Sequence, residues 1–151
     1  MNNKKLKDKE LEKQKLEDFE CWLWDMPNTI DSFMHRMPRE IAENLDFSIK
    51  SLDIIEKYLL DTYQNSKQIM DDPSYVLDGY AVYVGETFIK ILNDPSLHWE
   101  LMLDEENVYY NLPVIKGRNL IDCPLTMITT CLHRRKGVFL SSLLTKFINS
   151  N

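Results

Sequence analysis

Side chains able to do acid–base, nucleophilic or metal chemistry are few and scattered along this chain. Glu86 is the most pointed of them. It stands in Tyr83-Val84-Gly85-Glu86, inside the most apolar stretch, with Val82 and Ile89 about one helical turn away on either side. A carboxylate in such surroundings must be hydrogen-bonded, ion-paired or protonated, because an isolated buried charge is too costly. It could be a general acid or base whose pKa burial has raised. It could instead be a buried polar anchor that holds a hairpin or loop through the Trp99 N–H, Arg118 or backbone N–H groups. With no second catalytic group in view, the anchor is preferred and no catalytic residue is assigned.

The other reactive side chains do not assemble a site. His35, His98 and His133 are widely spaced. Cys21, Cys123 and Cys131 are odd in number, which fits reduced thiols. Cys123, Cys131 and His133 form C-x7-C-x-H, which matches no common zinc spacing and lacks a fourth ligand. Gly-rich phosphate loops, nucleophile elbows, H-E-x-x-H and C-x-x-C are absent. No metal and no cofactor are expected. The run His133-Arg134-Arg135-Lys136 is too short for a nucleic-acid footprint and reads as a basic helix end that complements the helix dipole. Trp22 and Trp24 lie two apart on a helix and cannot both face one core, so one of them is a candidate partner contact.

Charge placement says more than its total. The 151 residues carry 24 acidic and 18 basic side chains, a net −6. Residues 1–20 cancel, residues 40–106 hold fifteen acids against four lysines, and residues 107–151 hold six basic residues against Asp122. The −11 of the middle repels nucleic acid and anionic membranes and suits a basic protein partner. Asp104, Glu105 and Glu106 pack three acids into one turn. Their mutual repulsion adds nothing to stability, which makes them candidate partner-binding residues. Alternatively they are a charged guard on a sheet edge. No apolar run is long enough to span a membrane, and none follows the lysine-rich start, so a cytoplasmic protein is expected.

The elements that must position these residues read as predominantly helical α+β in one domain over 1–151, with 4 Gly and 6 Pro against a many-stranded fold. Residues 3–26 read as a helix, charged and frayed over 1–15. Pro27 breaks it, and short helices follow over 29–36 and 38–45. Ser48 caps a helix over 49–64 whose apolar face is Ile49, Leu52, Ile55, Leu59, Leu60 and Tyr63. The segment 75–92 is apolar almost all round and predicts a central helix, with Gly79 and Gly85 explained by close packing. The period then changes to two. Trp99, Leu101 and Leu103, then Val108, Tyr110 and Leu112, predict one antiparallel hairpin over 98–113 with Asp104–Asn107 as its loop. Helices over 124–135 and 138–148, separated by a capping Gly137, complete about six around that central helix.

The order of features also carries a resemblance. Leu45-Asp46-Phe47-Ser48 leads into Ser51-Leu52-Asp53-x-x-Glu56, followed by Tyr83-Val84-Gly85-Glu86, Trp99, Pro113 and Cys123-Pro124. Over about 40–148 this resembles a loose group of small bacterial domains of unknown function, which pair a Y-x-G-E helix with a Trp-bearing hairpin. Where that group has G-G-x-W, this chain has Ser96-Leu97-His98-Trp99. Some of these domains are similar to immunity proteins that sit beside secreted toxins. The resemblance implies a bacterial cytoplasmic protein with no established reaction and identifies no particular toxin. The acidic charge suits a basic protein partner such as a toxin, for an immunity-type binding protein without enzymatic activity. The alternative is a small enzyme or ligand-binding domain using Glu86 near Tyr83 and Trp99, or a housekeeping adaptor.

Overall fold

The computed structural model describes residues 2–150, which form eight helices and three short strands. The apolar stretch after Pro73 becomes α6 (Ser74–Leu92), where every residue from Gly79 to Gly85 is buried. A helix apolar on most sides needs cover on most sides. It is supplied by α2 (Met26–Arg36), α4 (Ile49–Thr62), α7 (Pro124–Arg134) and α8 (Phe139–Ile148). Phe33, Leu52, Ile55, Leu59, Tyr80, Tyr83, Val84, Phe88, Ile128, Leu132, Leu140 and Leu144 close one continuous core. Each such side chain contributes roughly 1.5–3 kcal/mol on leaving water.

Polar groups inside this core are paired. The Tyr83 hydroxyl donates to Ser51 Oγ at 2.7 Å and accepts from the Phe47 N–H at 2.9 Å. Phe47 adopts φ 61° and stacks its ring on Tyr83 at 4.8 Å, so the chain before α4 is held to α6. Tyr75, in the first turn of α6, is exposed, with the Arg36 guanidinium 4.9 Å over its ring.

Helix starts follow local chemistry closely. Ser48 accepts from Ser51 N at 3.1 Å and opens α4. Pro27 does not break the first helix from within. The break falls at Asp25, so α1 spans Asn2–Trp24 and Pro27 sits in the first turn of α2, where a missing N–H costs nothing. The expected helix over 38–45 is one turn, α3 (Arg39–Ala42). A further helix, α5 (Ser66–Asp71), was not predicted. Asn65 accepts from Gln68 N at 3.0 Å while Gln68 Oε1 accepts from Gln64 N at 2.6 Å, a reciprocal arrangement close to a capping box.

The β structure is a three-stranded antiparallel sheet in the order β1 (His98–Leu101), β2 (Pro113–Gly117), β3 (Leu120–Asp122). Trp99 pairs with Ile115 and Leu101 with Pro113. The expected second strand over 108–112 is a series of turns, and the true partner strand begins where that one was to end. Asn107 Oδ1 takes the Tyr109 N–H at 2.8 Å and Asn111 adopts φ 70°, so the alternating residues never extend. Pro113 is tolerated because it is the first residue of β2. Arg118 and Asn119, both left-handed at φ 53° and 60°, make the two-residue turn into β3.

Two contacts clasp α4 to the end of the chain. Glu56, fully buried on α4, accepts from the Phe139 N–H at 3.0 Å and the Leu140 N–H at 2.9 Å, satisfying two free donors at the start of α8. Beside it the Ser141 hydroxyl donates to Asp53. In return Arg135 reaches the carbonyls of Leu60, Tyr63 and Gln64 at 2.9–3.0 Å, at the other end of α4. Arg135 itself is the left-handed residue that ends α7, the role expected of Gly137.

Candidate functional site

Gly85, Glu86 and Trp99 form one unit. A Cβ at Gly85 would run into the Trp99 ring and stand 3.1 Å from Pro124, so glycine makes room for the indole. With its ring laid across α6, Trp99 donates its indole N–H to Glu86 at 3.3 Å. The carboxylate is half-buried. Trp22 then meets Trp99 edge-on at 5.2 Å, and Phe19 stacks on Trp22 at 5.9 Å. This aromatic row fastens α1 to the body. Arg118, the other proposed partner of Glu86, lies on the β2–β3 turn with its backbone N–H on Ser96 Oγ. The Tyr83 hydroxyl is held by Ser51 and Phe47, so the geometry offers Glu86 no paired tyrosine.

Asp104, Glu105 and Glu106 are all exposed. Asp104 Oδ1 accepts from the Glu106 N–H at 3.0 Å, which shapes the turn, and no ion pair reaches the three carboxylates among the described residues. Most other acids of 40–106 are engaged within the fold. Glu43, Asp61 and Asp71 pair with lysine or arginine on their own helices, Asp72 accepts from the Tyr63 hydroxyl, and Asp94 accepts from Ser96. These acids stay charged, but each is held to a fixed partner in the fold. What remains contiguous is the 104–106 turn, and α1 extends it. Asp8 and Glu12 border the same cleft of about 140 Å³ as Glu105, while Lys15 is held at the Tyr110 hydroxyl at 3.1 Å. Lys15 lines the same cleft, so two acids of α1 and one lysine extend the margin of the 104–106 turn.

Trp22 is half-buried and Trp24 is 83% exposed, which divides the pair as the helical spacing requires. Cys123 and Cys131 are buried, and burial pushes the Cys131 thiol up to about 12, with the Glu56 carboxylate adding to the shift. No group of three or more His, Cys, Asp or Glu side chains is placed to hold a metal ion among the described residues. No helix there is long and apolar enough to cross a membrane. The buried anchor that sequence reasoning missed is Glu56, whose two donors lie 83 and 84 residues away and leave no local trace. No protein-family model, no curated protein and no solved structure matches the chain.

Proposed function

We propose that this chain is a non-enzymatic protein-binding domain of the immunity type, a bacterial protein that takes a basic toxin on its acidic margin. The observation that carries the reading is the 104–106 turn, three adjacent exposed carboxylates that form no ion pair among the described residues while most neighbouring acids are tied into the fold. Carboxylates left this way steer a basic partner and raise its association rate, an effect that fades as salt shortens the Debye length to about 8 Å at physiological ionic strength. The resemblance to toxin-neighbouring domains supports the same reading. Glu86 has Trp99 as its partner and serves as an anchor here.

The test replaces Asp104 by Asn and Glu105 and Glu106 by Gln together. Association with the toxin encoded beside the gene should slow roughly tenfold at low salt and lose its salt dependence, and cells should lose protection. Melting temperature should barely move, because the three side chains bury nothing. Unchanged association and protection, with aggregation of the variant, would reduce the turn to a guard on the sheet edge.

A further inference from the structure

The outward face of α1 is self-complementary, and we infer that it pairs antiparallel with the same helix of a second copy, the midpoint of the pairing lying level with position 15 along the axis. This does not depend on the function proposed above, which uses the opposite side of α1. Although 23 residues long, α1 has no buried residue. Its inward side is held by Phe19, Trp22 and Lys15. On the other side, Leu6 is 57% and Trp24 83% exposed. They are eighteen residues apart, five full turns at about 3.6 residues per turn, so they share one face.

Charge complementarity identifies the occupant. Residues 2–9 carry four lysines against Asp8, and residues 16–24 carry Glu17, Asp18 and Glu20 with no basic residue. The helix has no acid in its first turn and no base in its last, the reverse of what its dipole favours. An antiparallel copy corrects this over the whole length, laying each acidic end beside a basic start and opposing the two dipoles. The register follows from symmetry about position 15. Leu6 and Trp24 lie equally far from it, so each leucine meets the partner's tryptophan. Lys13 and Glu17, already an i,i+4 pair at 4.0 Å, are two residues either side and form a four-charge box with their copies. Lys9 and Glu20 project to one side of the stripe and meet across it. A heterologous basic helix would satisfy the acidic end but repel the lysine end, whereas a second copy satisfies both.

Sedimentation equilibrium of the full chain at low and high salt tests this. The wild type should dimerise at low salt and dissociate as salt rises. Lys9→Glu with Lys13→Glu, and separately Glu17→Lys with Glu20→Lys, should each weaken self-association at least about tenfold, since every cross pair turns repulsive. Mixing the two variants should restore a dimer, because all cross pairs become opposite again. A wild type that stays monomeric at low salt overturns the inference, as does a mixture that fails to associate. A reversal variant that loses helix does not block the test. In a Cys21→Ser chain, Leu6→Cys with Trp24→Cys should form an intermolecular disulfide dimer on treatment with copper phenanthroline and oxygen, and a chain that stays monomeric under that treatment would reject the register.

Discussion

Glu56 turns both carboxylate oxygens toward N–H groups that have no other partner, in a site closed to water. Glu86 meets one indole N–H at 3.3 Å from a half-buried position. The two should therefore respond differently to the same change. Glu56→Gln sets an amide NH2 against a backbone donor and should cost about 1–3 kcal/mol, while Glu56→Ala, which also leaves a cavity, should cost about 3 kcal/mol or more. Glu86→Gln keeps an acceptor for Trp99 and should cost less than about 1 kcal/mol. Urea unfolding of the variants measures this, and equal losses at Glu56 and Glu86 would contradict it. Glu86 drew attention because its sequence neighbours are apolar. Glu56 did not, because it stands among Asp53, Lys57 and Asp61 on a helix with an evident polar face. Neighbours in sequence reveal a helix's surroundings poorly when the covering element arrives from the far end of the chain.

Helices announced themselves through periodicity and caps, which are local. Ser48 opening α4, Pro73 before α6 and the apolar wheel of α6 all stand in the structure as the residues imply. The sheet was harder. Val108, Tyr110 and Leu112 alternate as a strand would, yet Asn107 and Asn111 bend the backbone there, and the buried pair Val114 and Ile115 carries the pairing. Alternation alone does not fix facing: Val108 is 85% exposed, and the folded-back loop instead packs Tyr109 and Leu112, three residues apart, against Val114. The short α5 escaped because a six-residue helix with Ile69 alone buried has no period to read, although its Asn65 and Gln68 cap was visible. For α6 the decisive feature is Gly85. Gly85→Ala should gain about 1 kcal/mol of helix propensity yet lose more by forcing Trp99 aside, for a net destabilisation of about 1–3 kcal/mol. A higher melting temperature for Gly85→Ala would show that the indole does not need the space.

For the molecule as a whole, the candidate site was readable in outline only. The 104–106 turn could be named from sequence, but its reinforcement by Asp8 and Glu12 required the path of α1. The hydrogen bonds and ion pairs that hold most of the other acids required their partners. Titration of the remaining carboxylates shapes stability against pH. Burial holds Asp78 and Asp122 above the ordinary carboxylate value, whereas hydrogen bonds from Ser48 and Ser96 hold Asp46 and Asp94 below it. For Asp122 the native state binds more protons than the unfolded chain between about 3.9 and its raised value. Its contribution is therefore complete below that window and is lost as pH rises through it. Asp122→Asn keeps an oxygen for the Cys123 N–H and the Tyr109 hydroxyl without the charge. It should gain stability relative to wild type at neutral pH and lose that advantage below about pH 4. Denaturant midpoints at the two pH values check this, and an advantage independent of pH would refute it.

The clasp between Glu56 and the start of α8 also bears on the order in which the chain can assemble. Its carboxylate cannot shed water until donors 83 and 84 residues away arrive, and closing so long a loop is entropically slow. Until then, packing α4 against α6 and α7 must leave the Glu56 edge wet, because a dry carboxylate without donors is heavily penalised. Docking of α8 is thus the step that seals the interior, and it binds nearly the last residues of the chain to the success of all that precedes them. A chain stopped before Phe139 would hold an open seam along α4 with a hydrated charge inside it.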